Sequence, residues 1–327
     1  MSTDAAAGTS SPNDHEAVLL EPVLRALLPD DRPRPRRVLD GTFGRGGHSR
    51  ALLARLPDDA VLYVIDRDPE AVAVARQLAA EDARVRVLPG CFAELDSLLG
   101  NALGAVPEGV LDALLLDFGV SSPQLDTPER GFSLRFDGPL DMRMDPAVGP
   151  SAGQWLDAVE EAELTQVLRR FGEVRPAPRI ARAIIAARPL TTTLELAEVI
   201  AAATPAAVRR QRGRLHLVTQ CFQAIRIFIN DELKQIETVL PKAFAALAPT
   251  GRLAVISFHS LEDRMVKQFF RAQTRTPAVP RRLPVAADRL PQAPARLIGR
   301  AQRADAAEVE ANPRARSATL RVLERCA

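Results

Sequence analysis

Aromatic side chains, cysteines, long apolar runs and net charge are all scarce in this sequence, and each scarcity removes a class of protein. Phe, Trp and Tyr make up 4% of the 327 residues, with a single Trp and a single Tyr. The core must therefore be filled by Leu, Val, Ile and Ala rather than by stacked rings. Three cysteines, Cys91, Cys221 and Cys326, are odd in number and widely separated. They supply neither a metal-binding Cys-x-x-Cys pair nor a disulfide framework, and read as buried or incidental thiols. No apolar stretch reaches the roughly 18 residues that span a bilayer. Residues 1–14, MSTDAAAGTSSPND, lack the basic and apolar segments of a secretory signal. The expectation is a cytoplasmic chain that engages no membrane.

Net charge is only +2, but it is unevenly spread. From Arg264 onward, fourteen Lys and Arg face five Asp and Glu, so the rest of the chain is net acidic. A basic terminal stretch suits an anionic partner such as nucleic acid. A solvated Arg-rich surface accounts for the same count equally well.

What is present is ordinary for a globular protein: 46% hydrophobic and 26% charged residues. The length favours one large domain with an insertion, or two domains. Short Leu- and Val-rich runs at 38–40, 61–66, 85–88, 113–117 and 253–258 read as strands, with 319–323 as an edge strand. Helical patterns at 49–56 and 69–80 alternate with them, Pro69 falling at a favoured first helical position. This rhythm predicts an α/β fold with a parallel sheet covered by helices on both faces. After Asp117 it stops. Helical spacing marks 151–171, 179–188 and 194–203, where Thr192 and Glu195 form a capping box, and 218–248 reads as one long helix. The division is a discontinuous core of 1–125 and 214–327 with a helical, substrate-recognising insertion at 126–213. Residues 274–295, rich in Pro and Arg, read as irregular surface loop.

Two strand ends carry the chemistry. The first strand runs into Asp40-Gly41-Thr42-Phe43-Gly44-Arg45-Gly46-Gly47-His48-Ser49. Four glycines before a helix let the backbone approach a ligand that a Cβ would obstruct. Asp66 ends the next strand about twenty residues on, where a carboxylate receives ribose hydroxyls. Together they describe a nucleoside-containing cofactor. The spacing departs from G-x-G-x-x-G, and Asp40 suits an amino-acid aminium better than a diphosphate. S-adenosylmethionine is therefore favoured over NAD, which stays open. Phe92, after the third strand, is placed to cover an adenine, although an ordinary core Phe fits as well.

The fourth strand ends in Leu114-Leu115-Leu116-Asp117, followed by Phe118-Gly119-Val120-Ser121-Ser122-Pro123-Gln124. Asp117 is poised where open α/β sheets place ligands. Ser121, Ser122 and Gln124 add polar groups to a turn stiffened by Pro123. Such a site suits an exocyclic amine, whose lone pair is delocalised into its ring. Acceptors on its N–H bonds localise that pair for direct in-line attack on a methyl group. No Cys stands at this strand end to act as a covalent nucleophile.

These residues resemble one family closely, the bacterial small-subunit ribosomal RNA methyltransferase H family, which modifies cytosine N4 in 16S RNA. The matching strings are His15 with Val18-Leu19-Leu20-Glu21, Asp40 to Arg50, Ile65 to Pro69 and Leu116 to Asp126. They continue through Glu129-Arg130-Gly131-Phe132, Asp137 to Pro146, Ser257 to Arg264 and Asn312 to Ser317. The resemblance implies a Rossmann-like S-adenosylmethionine-dependent methyltransferase fold with a helical insertion domain. It implies cofactor contacts from Gly46, Gly47, His48, Asp66, Phe92, Asp117 and Gln124, with Asp117, Ser122 and Pro123 serving catalysis. It further implies a cytoplasmic enzyme acting on 16S ribosomal RNA in the small subunit, near the decoding site; a homo-oligomer is compatible with it. One departure stands out. Where the family shows His-Pro-Ala-Thr-Arg-Thr-Phe-Gln, this chain reads His216-Leu217-Val218-Thr219-Gln220-Cys221-Phe222-Gln223. Gln220 thus replaces an Arg, with Arg209, Arg210, Arg212 and Arg214 close by in sequence.

Other residues attract a blander reading. His48 and His259 have no companions at metal-ligand spacing, so no metal is expected. Asp137, Asp141 and Asp145 recur every four residues, but Gly138 and Pro139 break any helix that would align them. Trp155 reads as core of the insertion. Two rival functions share the glycine turn: an NAD(P)-linked oxidoreductase, and a non-catalytic RNA-binding factor that retains a cofactor pocket. Whichever nucleoside binds, Asp66→Ala should abolish its calorimetric affinity and leave the far-ultraviolet circular dichroism unchanged. Unaltered affinity would refute the cofactor assignment.

Overall fold

A computed structural model describes residues 17–212, 214–276 and 292–326. Eight strands are present among the described residues: β1 (Arg37–Asp40), β2 (Val61–Asp66), β3 (Val85–Pro89), β4 (Leu111–Asp117), β5 (Leu247–Ser257), β6 (Ala295–Leu297), β7 (Gln302–Arg303) and β8 (Thr319–Arg325). They form one sheet in the order β3-β2-β1-β4-β5-β8-β6, with β7 also on β8. The first five of that order are mutually parallel, and β8 runs antiparallel to β5. The chain leaves β1 toward β2 on one side and returns to β4 on the other. That reversal opens a crevice beyond the carboxyl ends of β1, β2 and β4, where such sheets bind ligands.

Helices cover both faces. They are α1 (Leu20–Leu27), α2 (Gly47–Leu53), α3 (Pro69–Glu81), α4 (Leu95–Leu103), α5 (Ser122–Asp126), α6 (Ala152–Ala158), α7 (Glu161–Gly172), α8 (Ala177–Ala186), α9 (Thr193–Ala203), α10 (Ala206–Arg212), α11 (Arg214–Ile229), α12 (Glu232–Ala246), α13 (Ser260–Gln273) and α14 (Ala306–Ala311). Consecutive strand residues feed opposite cores, as a period of two requires. Val38, Val64 and Leu115 pack with α1, α2 and α3 on one face. Leu39, Ile65, Leu114 and Leu116 pack with α4, α12 and α13 on the other.

A third apolar cluster lies apart from the sheet and joins α6, α7, α8, α9 and α11. The boundary expected at 213/214 does not follow this packing. Leu217, Val218, Cys221, Phe222 and Ile225 of α11 are buried in the insertion's cluster rather than against the sheet. The long helix expected over 218–248 is broken between α11 and α12, where Asp231 adopts φ 51. The one expected over 151–171 is broken at Val159, in extended backbone. Ser151 and Gln154 cap α6 reciprocally, as Thr192 and Glu195 cap α9. The Pro- and Arg-rich stretch at 274–295 falls mostly outside the described residues.

The strand expected at the sheet edge, β8, is internal, because the short β6 pairs its far side. Glu324 on β8 is buried, and three arginines converge on it: Arg252 Nε at 2.8 Å, Arg296 Nη2 at 2.6 Å and Arg32 Nη2 at 3.0 Å. Arg252 also donates to the Ala26 carbonyl at 2.7 Å, tying α1 to the sheet. Burial alone would raise the Glu324 carboxyl; hydrogen bonds from Arg252 and Arg296 outweigh it and hold it below its ordinary range. Its contribution is therefore present above the unfolded carboxylate range and is lost as pH falls through the lower folded value. Glu324→Ala should cost about 3 kcal/mol in urea unfolding at pH 7 by leaving buried Arg252 unpaired, and a change within error would contradict this account.

Candidate active site

Three carboxylates stand at three neighbouring strand tips, Asp66 on β2, Asp40 on β1 and Asp117 on β4. Asp40 is buried and fully engaged inward: Ser49 Oγ donates to it at 2.6 Å and Thr42 N–H at 3.1 Å. It pins the glycine turn to the start of α2. It therefore does not face an aminium group as its position in sequence implies. The turn is fastened on its other sides too. Gly41 N–H donates to the Leu115 carbonyl at 2.9 Å and Phe43 N–H to the Ile65 carbonyl at 3.0 Å. The Asp117 N–H donates to Thr42 Oγ1 at 2.7 Å. Gly46 has φ +77, and a Cβ there would lie 2.6 Å from the Phe43 ring, so glycine is required by both conformation and space.

Asp66 is held by the turn it faces. Gly44 N–H donates to Oδ2 at 2.8 Å and Asp68 N–H to Oδ1 at 2.9 Å. Burial raises its carboxyl to about 6 despite those bonds. Phe92 follows β3 in a short helical turn, with its ring 5.7 Å from that of buried Phe118. Gly90 N–H reaches the Asp66 carbonyl at 2.9 Å, which sets the β3 tip beside that of β2.

Asp117 carries the most unusual electrostatics. Its Oδ1 is buried with no hydrogen-bond partner. Its Oδ2 lies 3.7 Å from His48 Nδ1. Burial, then the charges of Asp40 and Glu262, push its carboxyl well above the usual range. His48 is itself buried, and burial lowers its ring to about 4, leaving it neutral near pH 7. Nε2 contacts the Val18 carbonyl at 3.0 Å, so the ring holds the chain before α1 against the glycine turn. An orphaned, desolvated carboxylate oxygen beside a glycine cradle is a receptor for an N–H or a cation.

The loop after β4 closes the crevice. Pro123 lies in the first turn of α5, and Ser122 opens that helix, its side chain lying outside those described. Gln124 is buried; its Oε1 accepts from Ser121 N–H at 3.0 Å and its Nε2 donates to Asp68 Oδ2 at 2.7 Å. Asp68 and its partner Arg130, 2.8 Å away, stand behind the site, a pairing that the sequence does not reveal. Locally, Asp68 serves as the cap of α3.

The remaining polar residues resolve simply. Asp141 pairs with Arg143 and Asp145 accepts from Ala147 N–H, each bracing its own loop, while Asp137 ties that loop to the start of α9 through Leu194 N–H. Glu232, His259 and Glu262 bring ligand atoms within 4.8 Å of one another. Arg226 forks Glu232 at 2.8 and 2.9 Å, and His259 Nε2 lies 3.1 Å from Glu262 Oε1. Burial works to raise the Glu262 carboxyl, and His259 and Arg226 outweigh it and hold it low. His259 caps α13 and serves structure. The three cysteines are free, and burial pushes Cys221 up to about 12.

A parallel sheet with this strand order, a glycine turn braced by acidic strand tips and an orphaned carboxylate at the β4 tip define a Rossmann-like methyltransferase. The chain belongs to the MraW methylase family, whose model matches residues 12–326. It is 52% identical over 317 residues to the "Ribosomal RNA small subunit methyltransferase H" of Thioalkalivibrio sulfidiphilus, covering 96% of this chain and 98% of that one. Proteins of the same name from Thiobacillus denitrificans and Stenotrophomonas maltophilia are each 50% identical, covering 96% and 97% of this chain and 97% and 95% of theirs. The oxidoreductase reading has no support in these relatives.

A ligand received by Asp66 and Asp117 as anions must displace their protons when pH is low. With S-adenosylhomocysteine as the probe, affinity should fall as pH drops through 6, approaching tenfold per unit below it. His48 stays neutral through this window and adds nothing to it. A flat calorimetric profile between pH 7.5 and 5 would refute the role given to these carboxylates.

Proposed function

We propose that this protein transfers the methyl group of S-adenosylmethionine to the exocyclic N4 of a cytosine in 16S ribosomal RNA of the small subunit, near the decoding site, in the cytoplasm. The observation that carries this reading is the agreement, over at least 95% of both chains, with relatives named for small-subunit ribosomal RNA methylation. In this reading Gly46, Gly47, His48, Asp66, Phe92, Asp117 and Gln124 hold the cofactor. Asp66 receives the ribose hydroxyls, Phe92 covers the adenine and the glycine turn cradles the amino-acid end. The residues present fit such a group, because Asp117 Oδ1 lacks a partner and a Cβ on Gly44 would meet only Ser121 Cβ, at 3.8 Å, which leaves the turn open at that point.

When bound, the cofactor supplies an electrophilic methyl on a sulfonium, which becomes a neutral thioether as the carbon–nitrogen bond forms. The protein's task is to make a poor amine nucleophilic and to remove its proton. The Asp117 carboxylate, whose side chain is partly exposed, accepts an N–H of the incoming amine and localises its lone pair. Burial makes this carboxylate a stronger base than an exposed aspartate, so the N4 proton leaves to it. Ser122 and Pro123 shape the turn that orients the base for in-line attack. The helices of 126–213, together with α11, form the surface that meets RNA. There Gln220 takes a position where the family shows Arg.

Mass spectrometry of nucleosides from 16S RNA tests this directly. Cells whose only copy carries Asp117→Asn should lose N4-methylation of cytosine, as should cells lacking the protein. A mark that persists in the cells lacking it would overturn the assignment and leave an RNA-binding role instead.

A further inference from the structure

The segment Ile65-Asp66-Arg67-Asp68 at the end of β2 faces two ways. Asp66 faces the glycine turn. The next two residues face the insertion: Arg67 Nη1 donates to the Asn230 carbonyl at 3.3 Å, and Asp68 accepts from Arg130 Nη1 at 2.8 Å. Arg130 is buried, and its other nitrogen, Nη2, donates to the Arg143 and Met144 carbonyls at 3.2 and 2.9 Å. Those carbonyls lie on the loop that enters the insertion. Asn230, between α11 and α12, grips the same loop through Met144 N–H and the Met142 carbonyl, both at 2.7 Å.

Asp68 is thus one hydrogen bond from each side. Its N–H binds Asp66 Oδ1 at 2.9 Å, and its Oδ2 receives Gln124 Nε2 at 2.7 Å. Both neighbours are cofactor contacts in the function proposed above. The turn that carries Arg130 packs closely on Gly138, where a Cβ would lie 1.9 Å from the Pro128 carbonyl oxygen. A buried ion pair contributes little stability beyond what apolar residues of equal size would give. What this pair adds is direction: one guanidinium addresses the cofactor side with one nitrogen and the insertion with the other.

We propose that Asp68 and Arg130 are positioning residues that couple the cofactor site to the insertion, so that bound cofactor sets the pose in which the insertion receives RNA. Neither touches a reacting atom. The coupling rests on the methyltransferase reading and must be reciprocal, each ligand tightening the other by the same factor.

The test compares wild type with the double variant Asp68→Asn/Arg130→Met, which removes both charges together and leaves no unpaired ion in the core. Small ribosomal subunits lacking the methyl mark serve as the RNA ligand, and their affinity is measured with and without S-adenosylhomocysteine. Wild type should bind subunits at least about fivefold tighter with the nucleoside present. The double variant should fold with unchanged circular dichroism, melt lower because the Arg143 and Met144 carbonyls lose their donor, and keep its nucleoside affinity within about threefold. Its coupling should fall below about twofold, with a raised KM for subunits. A merely structural pair would lower the melting temperature and leave the coupling factor intact. A double variant that keeps wild-type coupling, or a wild type without coupling, overturns the proposal while methylation of the subunits upholds the underlying function. Subunits left unmethylated by wild type overturn both.

Discussion

Desolvation of carboxylates at adjacent strand tips is the constraint on which the structure turns. The β2, β1 and β4 tips put half-buried Asp66, buried Asp40 and half-buried Asp117 side by side, and desolvation raises each carboxyl above its ordinary value. The fold relieves the three unequally. Asp40 is satisfied from within and fastens the glycine turn. Asp66 is braced by two backbone N–H groups. Asp117 keeps an oxygen with no partner, so its cost of burial is offset only when a donor arrives. In the function proposed here, binding and chemistry follow from that unequal satisfaction.

The strand tips were legible in the sequence because their signals are local. Glycines, acidic residues and Leu-rich runs occur within a few positions of one another, and the parallel order follows from their spacing. Phe92 and Gln124 were legible as members of the same tips, and the structure sets both beside them. Asp40 misleads, since a strand-end carboxylate carries the same signature whether it faces a ligand or a serine two turns away. Only Ser49, whose hydroxyl lies at 2.6 Å, decides between them.

What sequence could not reveal depends on distant partners. Asp68 and Arg130 stand 62 residues apart, and each has an ordinary local reading. The allegiance of α11 is equally hidden, because an apolar stripe does not state which neighbour it will cover. The strands β6 and β7, of three and two residues, carry too little pattern to be found at all. The placement of β8 inside the sheet follows from them.

The insertion and the core are joined by the packing of Val120 and Leu125 on the insertion's cluster and by polar contacts that converge behind Asp66. The claim that desolvated carboxylates receive the cofactor is tested most directly by calorimetry of S-adenosylhomocysteine binding at pH 6 in buffers of different ionisation enthalpy. With the Asp66 carboxyl near 6, binding should release about half a proton or more per ligand. Binding with no proton released would contradict the account.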